Sequence, residues 1–113
     1  MIDITEFIPA LISPTGVKAW FQAHPIGTLP AQYVTFTEIS ALPELEAADR
    51  EITTNRHVQV NVWSKGNYFA LVESIKKAME AGGFDRTFEA DGPYTDGDSH
   101  FNKILRFEYT DEY

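Results

Sequence analysis

The fold is decided by residues 57–84, HVQVNVWSKGNYFALVESIKKAMEAGGF, because the hydrophobic period there switches from two to 3.6 within a few residues. Val58, Val60 and Val62 alternate with His57, Gln59 and Asn61, the pattern of a strand with one apolar and one wet side. Tyr68, Leu71, Val72, Ile75, Ala78 and Met79 then recur at helical spacing, with Glu73, Lys76, Lys77 and Glu80 opposite them. Strand and helix therefore share a core. Ser64 or Asn67 is placed to cap the helix, and Gly82-Gly83 to end it in a left-handed turn.

Outward from that unit, residues 32–39 (QYVTFTEI) read as a strand of β-branched and aromatic residues, with Val34 and Phe36 opposed to Tyr33, Thr35 and Thr37. Residues 2–12 read as a short amphipathic helix with Pro9 near the end of its first turn. Residues 13–16 form a turn, 17–22 a weaker strand, and HPIGTLPA a loop. Residues 85–90 and 101–109 supply two final strands joined by the turn-rich DGPYTDGDSH. Between the two central strands lies a segment, residues 40–56, in which Glu44, Glu46, Asp49 and Glu51 outnumber Arg50 and Arg56. It reads as a long, exposed hairpin arm, and a connection of that length in a small domain tends to be mobile or functional. The expected fold is one soluble α+β domain over residues 1–113, in the order α-β-β-β-α-β-β, with an antiparallel β-sheet of four to five strands and two helices on one face.

Composition narrows function mainly by exclusion. The 113 residues suffice to bury about 65% of the unfolded surface. Zero cysteines remove disulfides, thiolate metal sites and a cysteine nucleophile, and fit a reducing compartment. Asp3 and Glu6 stand where a signal peptide carries cations, so the amino terminus reads as mature sequence. No apolar run approaches the ~18 to 20 residues that a bilayer requires. Seventeen acidic against nine scattered basic residues give a net charge of -8, which argues against direct nucleic-acid binding. The same charge favours solubility or docking to a basic protein surface.

Candidate chemistry is thin. Asp91, Asp96, Asp98 and His100 fall within ten residues, but Pro93 and Tyr94 occupy positions where a calcium loop needs ligands, and a solvated acidic turn accounts for them. His24, His57 and His100 form neither an HxH nor an HxxxH pair. Phosphate-loop, dinucleotide and nucleophile-elbow motifs are absent. The expectation is a non-enzyme with no cofactor, no catalytic residue and no metal. Tryptophan is enriched at interfaces as well as in cores. Trp63 is expected to pack across the strand-to-helix corner. Of Trp20 and Phe21, one must face outward from a strand, so both are interface candidates, together with Glu44, Glu46, Asp49, Arg50, Asp96 and Asp98.

Taken together, Tyr33-Val34-Thr35-Phe36 after a proline-containing loop, Val58 to Ser64 (VQVNVWS) and the Leu71 to Met79 helix ending in glycine resemble a family of small phage and prophage tail-completion proteins, the head-tail joining or tail-terminator group. The resemblance runs over most of the chain and rests on core positions. It implies an α+β structural protein that caps the tail tube or joins it to the head connector, commonly as a homo-oligomeric ring of identical subunits. The implied partners are tail-tube and head-connector proteins. The implied location is the virion, at the tail or the head-tail junction, with the host cytoplasm during virion assembly. It carries no active site. The rival reading is an acidic phage-borne inhibitor or DNA-mimic that binds a basic host protein.

Overall fold

A computed structural model describes the backbone of residues 2–47 and 50–112, and the side chains of residues 2–42 and 53–111. The element order is α1 (Ile4–Ile12), a 3-10 turn (Ser13–Thr15), β1 (Ala19–Phe21), β2 (Gln32–Ala47), β3 (Arg50–Ser64), α2 (Phe69–Ala81), β4 (Asp85–Asp91) and β5 (Phe101–Glu112). This is the α+β order that the periodicities predict. The strands form one five-stranded sheet in the order β1-β2-β3-β5-β4.

The sheet is antiparallel except at one edge, where β1 runs parallel to β2 with Ala19 opposite Val34 and Phe21 opposite Phe36. The expected antiparallel sheet holds for β2, β3, β5 and β4, and this short edge strand adds a parallel pair that the sequence reading does not foresee. Parallel pairing demands a crossover, and residues 22–31 supply it as a loop, with two prolines and no helix. Gln22 adopts φ 56° to turn the chain out of β1, and its amide is held by the Phe36 carbonyl at 2.9 Å.

Period-two alternation sends Val34, Phe36, Val58, Val60, Val62, Leu105 and Phe107 to one side of the sheet, where all are buried. Both helices cover that side. α1 contributes Ile4, Ile8 and Ile12, and α2 contributes Leu71, Val72, Ile75 and Met79, to a single apolar cluster closed by Phe84. Full burial of one such aliphatic side chain is worth about 1.5–3 kcal/mol. This dry layer is the one the sequence pattern requires.

Local chemistry fixes the helix ends. Asp3 caps α1, its carboxylate accepting the Thr5 amide at 3.0 Å. Pro9 is the sixth residue of that helix, about two positions deeper than the sequence suggests, so it removes one internal hydrogen bond. The ladder resumes where the Ser13 amide donates to the Pro9 carbonyl. For α2, the Asn67 carboxamide accepts the Phe69 amide at 2.9 Å, whereas Ser64 accepts the Gly66 amide at 3.2 Å and tightens the turn before it. Its far end is a Schellman motif: Gly83, at φ 96°, donates to the Glu80 carbonyl, and Phe84 donates to Met79.

The predicted arm is a continuation of the sheet. β2 and β3 pair from Gln32 opposite Ser64 out to Ala47 opposite Arg50, with register shifts after Glu38 and around Leu45. A hairpin running far past the core makes the molecule 55 × 26 × 25 Å. At the base of the arm the Arg56 guanidinium bridges Glu38 at 3.0 Å and Asp111 at 2.9 Å, and Asp111 also accepts the Ile2 amide at 3.1 Å. Burial pushes the Asp111 carboxyl up, but the Ile2 amide and the Arg56 guanidinium prevail and hold it below the ordinary carboxylate range.

Candidate functional site

The alternation that hides the valines turns their neighbours to the side of the sheet opposite the helices. Thr35 and Thr37 from β2, Gln59, Asn61 and Trp63 from β3, and Asn102, Ile104 and Arg106 from β5 occupy this helix-free face, and all but the exposed Arg106 are half-buried. Its polar groups hold one another in place. The Trp63 indole donates to the Thr35 hydroxyl at 2.9 Å, Gln59 donates to Asn61 at 3.0 Å, and Arg106 donates to Gln59 at 3.1 Å. Arg106 also lies 5.0 Å above the ring of Phe88 from β4.

At one end of the face the loop of residues 22–31 folds back over an aromatic cluster. Tyr33 is buried, its ring stacked on Trp63 at 6.0 Å and 11°. The rings of His24 and His100 meet Tyr33 edge-on at 5.7 and 5.3 Å. The Tyr33 hydroxyl and His24 Nδ1 are 2.7 Å apart. Burial pushes the Tyr33 phenol up, so it stays protonated and available as a donor. His100 Nε2 lies 2.7 Å from the Pro30 carbonyl, which only accepts, so that nitrogen carries the proton and Nδ1 faces the Ser99 hydroxyl at 2.7 Å. Two open grooves flank the cluster. One, of about 460 Å³, runs between His24, Trp63, Asp98 and Asn102, and the other, of about 190 Å³, lies between His24, Thr37, Gln59 and Asn61.

Ser99 and His100 stand within hydrogen-bonding reach, yet no carboxylate backs the imidazole. Its second nitrogen is spent on a backbone carbonyl, which makes His100 a tether between two loops. The acidic turn likewise gathers no ion site. The Tyr68 hydroxyl and Lys103 engage Asp91, and Asp98 accepts the Thr95 amide at 2.9 Å. Among the described residues no three His, Cys, Asp or Glu side chains converge as metal ligands. Nor is any helix among them long and apolar enough to cross a membrane.

The sequence-derived candidates fall in three separate places. Trp20 and Phe21 lie on β1: Trp20 is half-buried beside Lys18, whose Nζ is 5.9 Å from its ring, and Phe21 is 41% exposed while packing on Phe36 at 5.4 Å. Phe21 is thus the more exposed of the pair. Asp96 and Asp98 are exposed in the loop between β4 and β5. Glu44 and Glu46 stand in the β2 half of the arm and Arg50 opens β3; Glu46 and Arg50 pair across the hairpin with Glu51 and Ala47, Glu44 falls in the register shift between Pro43 and Leu45, and Asp49 lies outside the described residues.

Trp63 is a correction. It does not pack across the corner toward α2, because its odd position relative to the three valines sends it to the other side of the sheet, against Tyr33 and His24. The Tyr33, His24 and His100 cluster is a site that sequence reasoning missed. Two aromatic residues on the wet sides of neighbouring strands, Tyr33 and Trp63, were the available signal.

Most described cations are engaged inside the molecule. Lys76 and Arg86 meet Glu89 at 3.0 and 2.9 Å, Lys103 meets Glu89 and Asp91 at 3.4 and 3.2 Å, and Arg56 sits between its two acids. The pairs on Glu89 and Asp91 link α2, β4 and β5 on the helix side. In comparison with known proteins, no family model matches the chain and no curated protein matches it.

Proposed function

We propose that this chain is a non-enzymatic phage or prophage structural protein that completes the tail or joins it to the head connector, as a ring of identical subunits. The observation that carries this reading is the β2–β3 hairpin, which extends past a core covered on one side only and gives a 25 Å-thick molecule a 55 Å long axis. A ring subunit needs a body with a free face and a projection that reaches the next copy, repeated head to tail until the rotation closes. The acidic arm and the acidic loop with Asp96 and Asp98 suit a lumen or rim past which DNA slides without adhering.

The inhibitor or DNA-mimic reading is less well supported, because Glu38, Glu73, Glu89, Asp91 and Asp111 are engaged by cations of the same chain. A mimic needs its carboxylates free and evenly spaced. The test is a deletion in the phage that carries the gene. Tails of aberrant length or unjoined heads and tails, repaired by the wild-type chain, are expected. Normal virions from the deletion would refute the proposal. Lysine substitutions at Glu44, Glu46 and Asp49 test the arm by itself, and normal infectivity from that variant would remove it from the mechanism.

A further inference from the structure

The helix-free face is nearly devoid of net charge in a chain whose formal charge is -8. Along β2, β3 and β5, the described side chains on this face include one cation, Arg106, and one anion, Glu108, and Asn55 donates to that carboxylate at 2.7 Å. The other positions are threonine, asparagine, glutamine, histidine and aromatic or aliphatic residues. Among the described residues, Asp85 at the β4 edge, Asp98 in the groove beside Trp63 and Lys18 beside β1 add charge at the margins, which leaves the face within one charge of neutral. The remaining ion pairs lie on the helix side or at the base of the arm.

We infer that this face is the seat of a second copy of the same chain. Two bodies of charge -8 repel wherever their acids meet, so self-association is directed to the surface that carries the least of that charge. Depletion of charge with retention of the accessible aromatics Trp63 and Phe88 is also the composition of an interface core. Preorganisation lowers the entropic cost of ordering, because Thr35, Gln59, Asn61 and Arg106 are already fixed by mutual hydrogen bonds.

Size sets the strength. Five strands at ~4.8 Å spacing and the six residue steps from His57 to Trp63, each ~3.3 Å, give a face about 20 Å square, on the order of 500 Å² per copy with side-chain relief. That is the low end of a specific interface, so the contact is weak between free subunits and accumulates when a ring closes. This inference rests on the ring reading above and specifies the surface that the reading leaves open.

Sedimentation velocity of the purified chain from about 10 μM to about 1 mM tests it, with Asn61→Glu, Asn61→Lys and Thr37→Lys beside Lys77→Glu, a control on exposed α2. The wild type and the control are expected to associate with concentration. All three face variants are expected to associate at least tenfold more weakly while keeping the wild-type circular dichroism. Loss of association with either sign of charge at position 61 marks desolvation of a neutral face, which a simple charge effect would not produce. Association as strong in the face variants as in the wild type overturns the assigned surface and leaves the ring reading standing. A wild type that stays monomeric throughout overturns the assigned surface, and the deletion phenotype then decides the ring reading by itself. Association that follows the prediction in a chain whose deletion leaves tails normal removes the tail role and keeps the surface.

Discussion

His100 Nε2 donates to the Pro30 carbonyl at 2.7 Å, a bond between residues seventy positions apart that fastens the loop after β1 to the loop before β5. Each loop is rich in glycine and proline and has little apolar surface of its own to bury. Their shared anchor is this imidazole, packed edge-on against Tyr33.

Substituting His100→Ala removes the donor and opens a small void beside Tyr33, with an expected loss of about 1–3 kcal/mol in urea unfolding. Amide exchange should quicken across residues 24–31 and stay unchanged in β3. Equal protection of that loop in both proteins would show that the tether is idle.

Arg56 is the only described cation shared by Glu38 and Asp111, and both ends of the bridge are substantially buried. Arg56→Met should cost about 3 kcal/mol, because Asp111 stays buried after losing the guanidinium that faces it. The pH dependence carries a definite sign. Asp111 is depressed in the folded state, so its contribution is complete above about pH 4 and is lost as pH falls through the folded value. The stability gap between wild type and variant should therefore narrow from pH 6 toward pH 3, and a constant gap would contradict the pairing.

The Tyr68 hydroxyl donates to Asp91, and that bond to a carboxylate, with burial, pushes the phenol up to about 12. Spectrophotometric titration of the five tyrosines should show one that resists ionisation to about that pH and disappears in Tyr68→Phe. The raised value means the bond stabilises the fold fully below about pH 10 and fails as pH climbs through 12. A titration unchanged by the substitution would place the bond elsewhere.

Gly83→Ala should destabilise by about 1 kcal/mol, since φ is 96° and the new Cβ would stand 3.2 Å from the Tyr109 ring. Ile75→Ala, in the fully buried layer between α2 and the sheet, should remove about 2–5 kcal/mol. Thermal unfolding followed by circular dichroism ranks the two. A larger loss for Gly83 than for Ile75 would mean that the helix terminus, rather than the valine layer, governs stability.

The parts of the fold that a period announces were legible in the sequence. Val58, Val60 and Val62 and the α2 residues from Leu71 to Met79 name their faces by spacing alone, and Gly82-Gly83 names the stop. The arm was legible as a projection but not as strands, because the residues beyond Ile39 lose strict alternation at the register shifts after Glu38 and around Leu45. The parallel setting of β1 could not be read, since three residues carry no direction and the loop that reverses the chain has no period. The Tyr33, His24 and His100 cluster was hidden for a related reason. Its members come from a strand and two aperiodic loops, and only the fold brings them together.

The loop that lets β1 lie parallel to β2 also orders events during folding. β2, β3 and α2 are near neighbours along the chain, so their contacts close early from local loops. β1 has no seat until the β2 edge exists, and residues 22–31 reach their place only when His100, arriving with β5, is there to receive Pro30. The edge strand and the clasp over Tyr33 are accordingly expected to be laid down last and to open first, a latch whose closure depends on the sheet behind it.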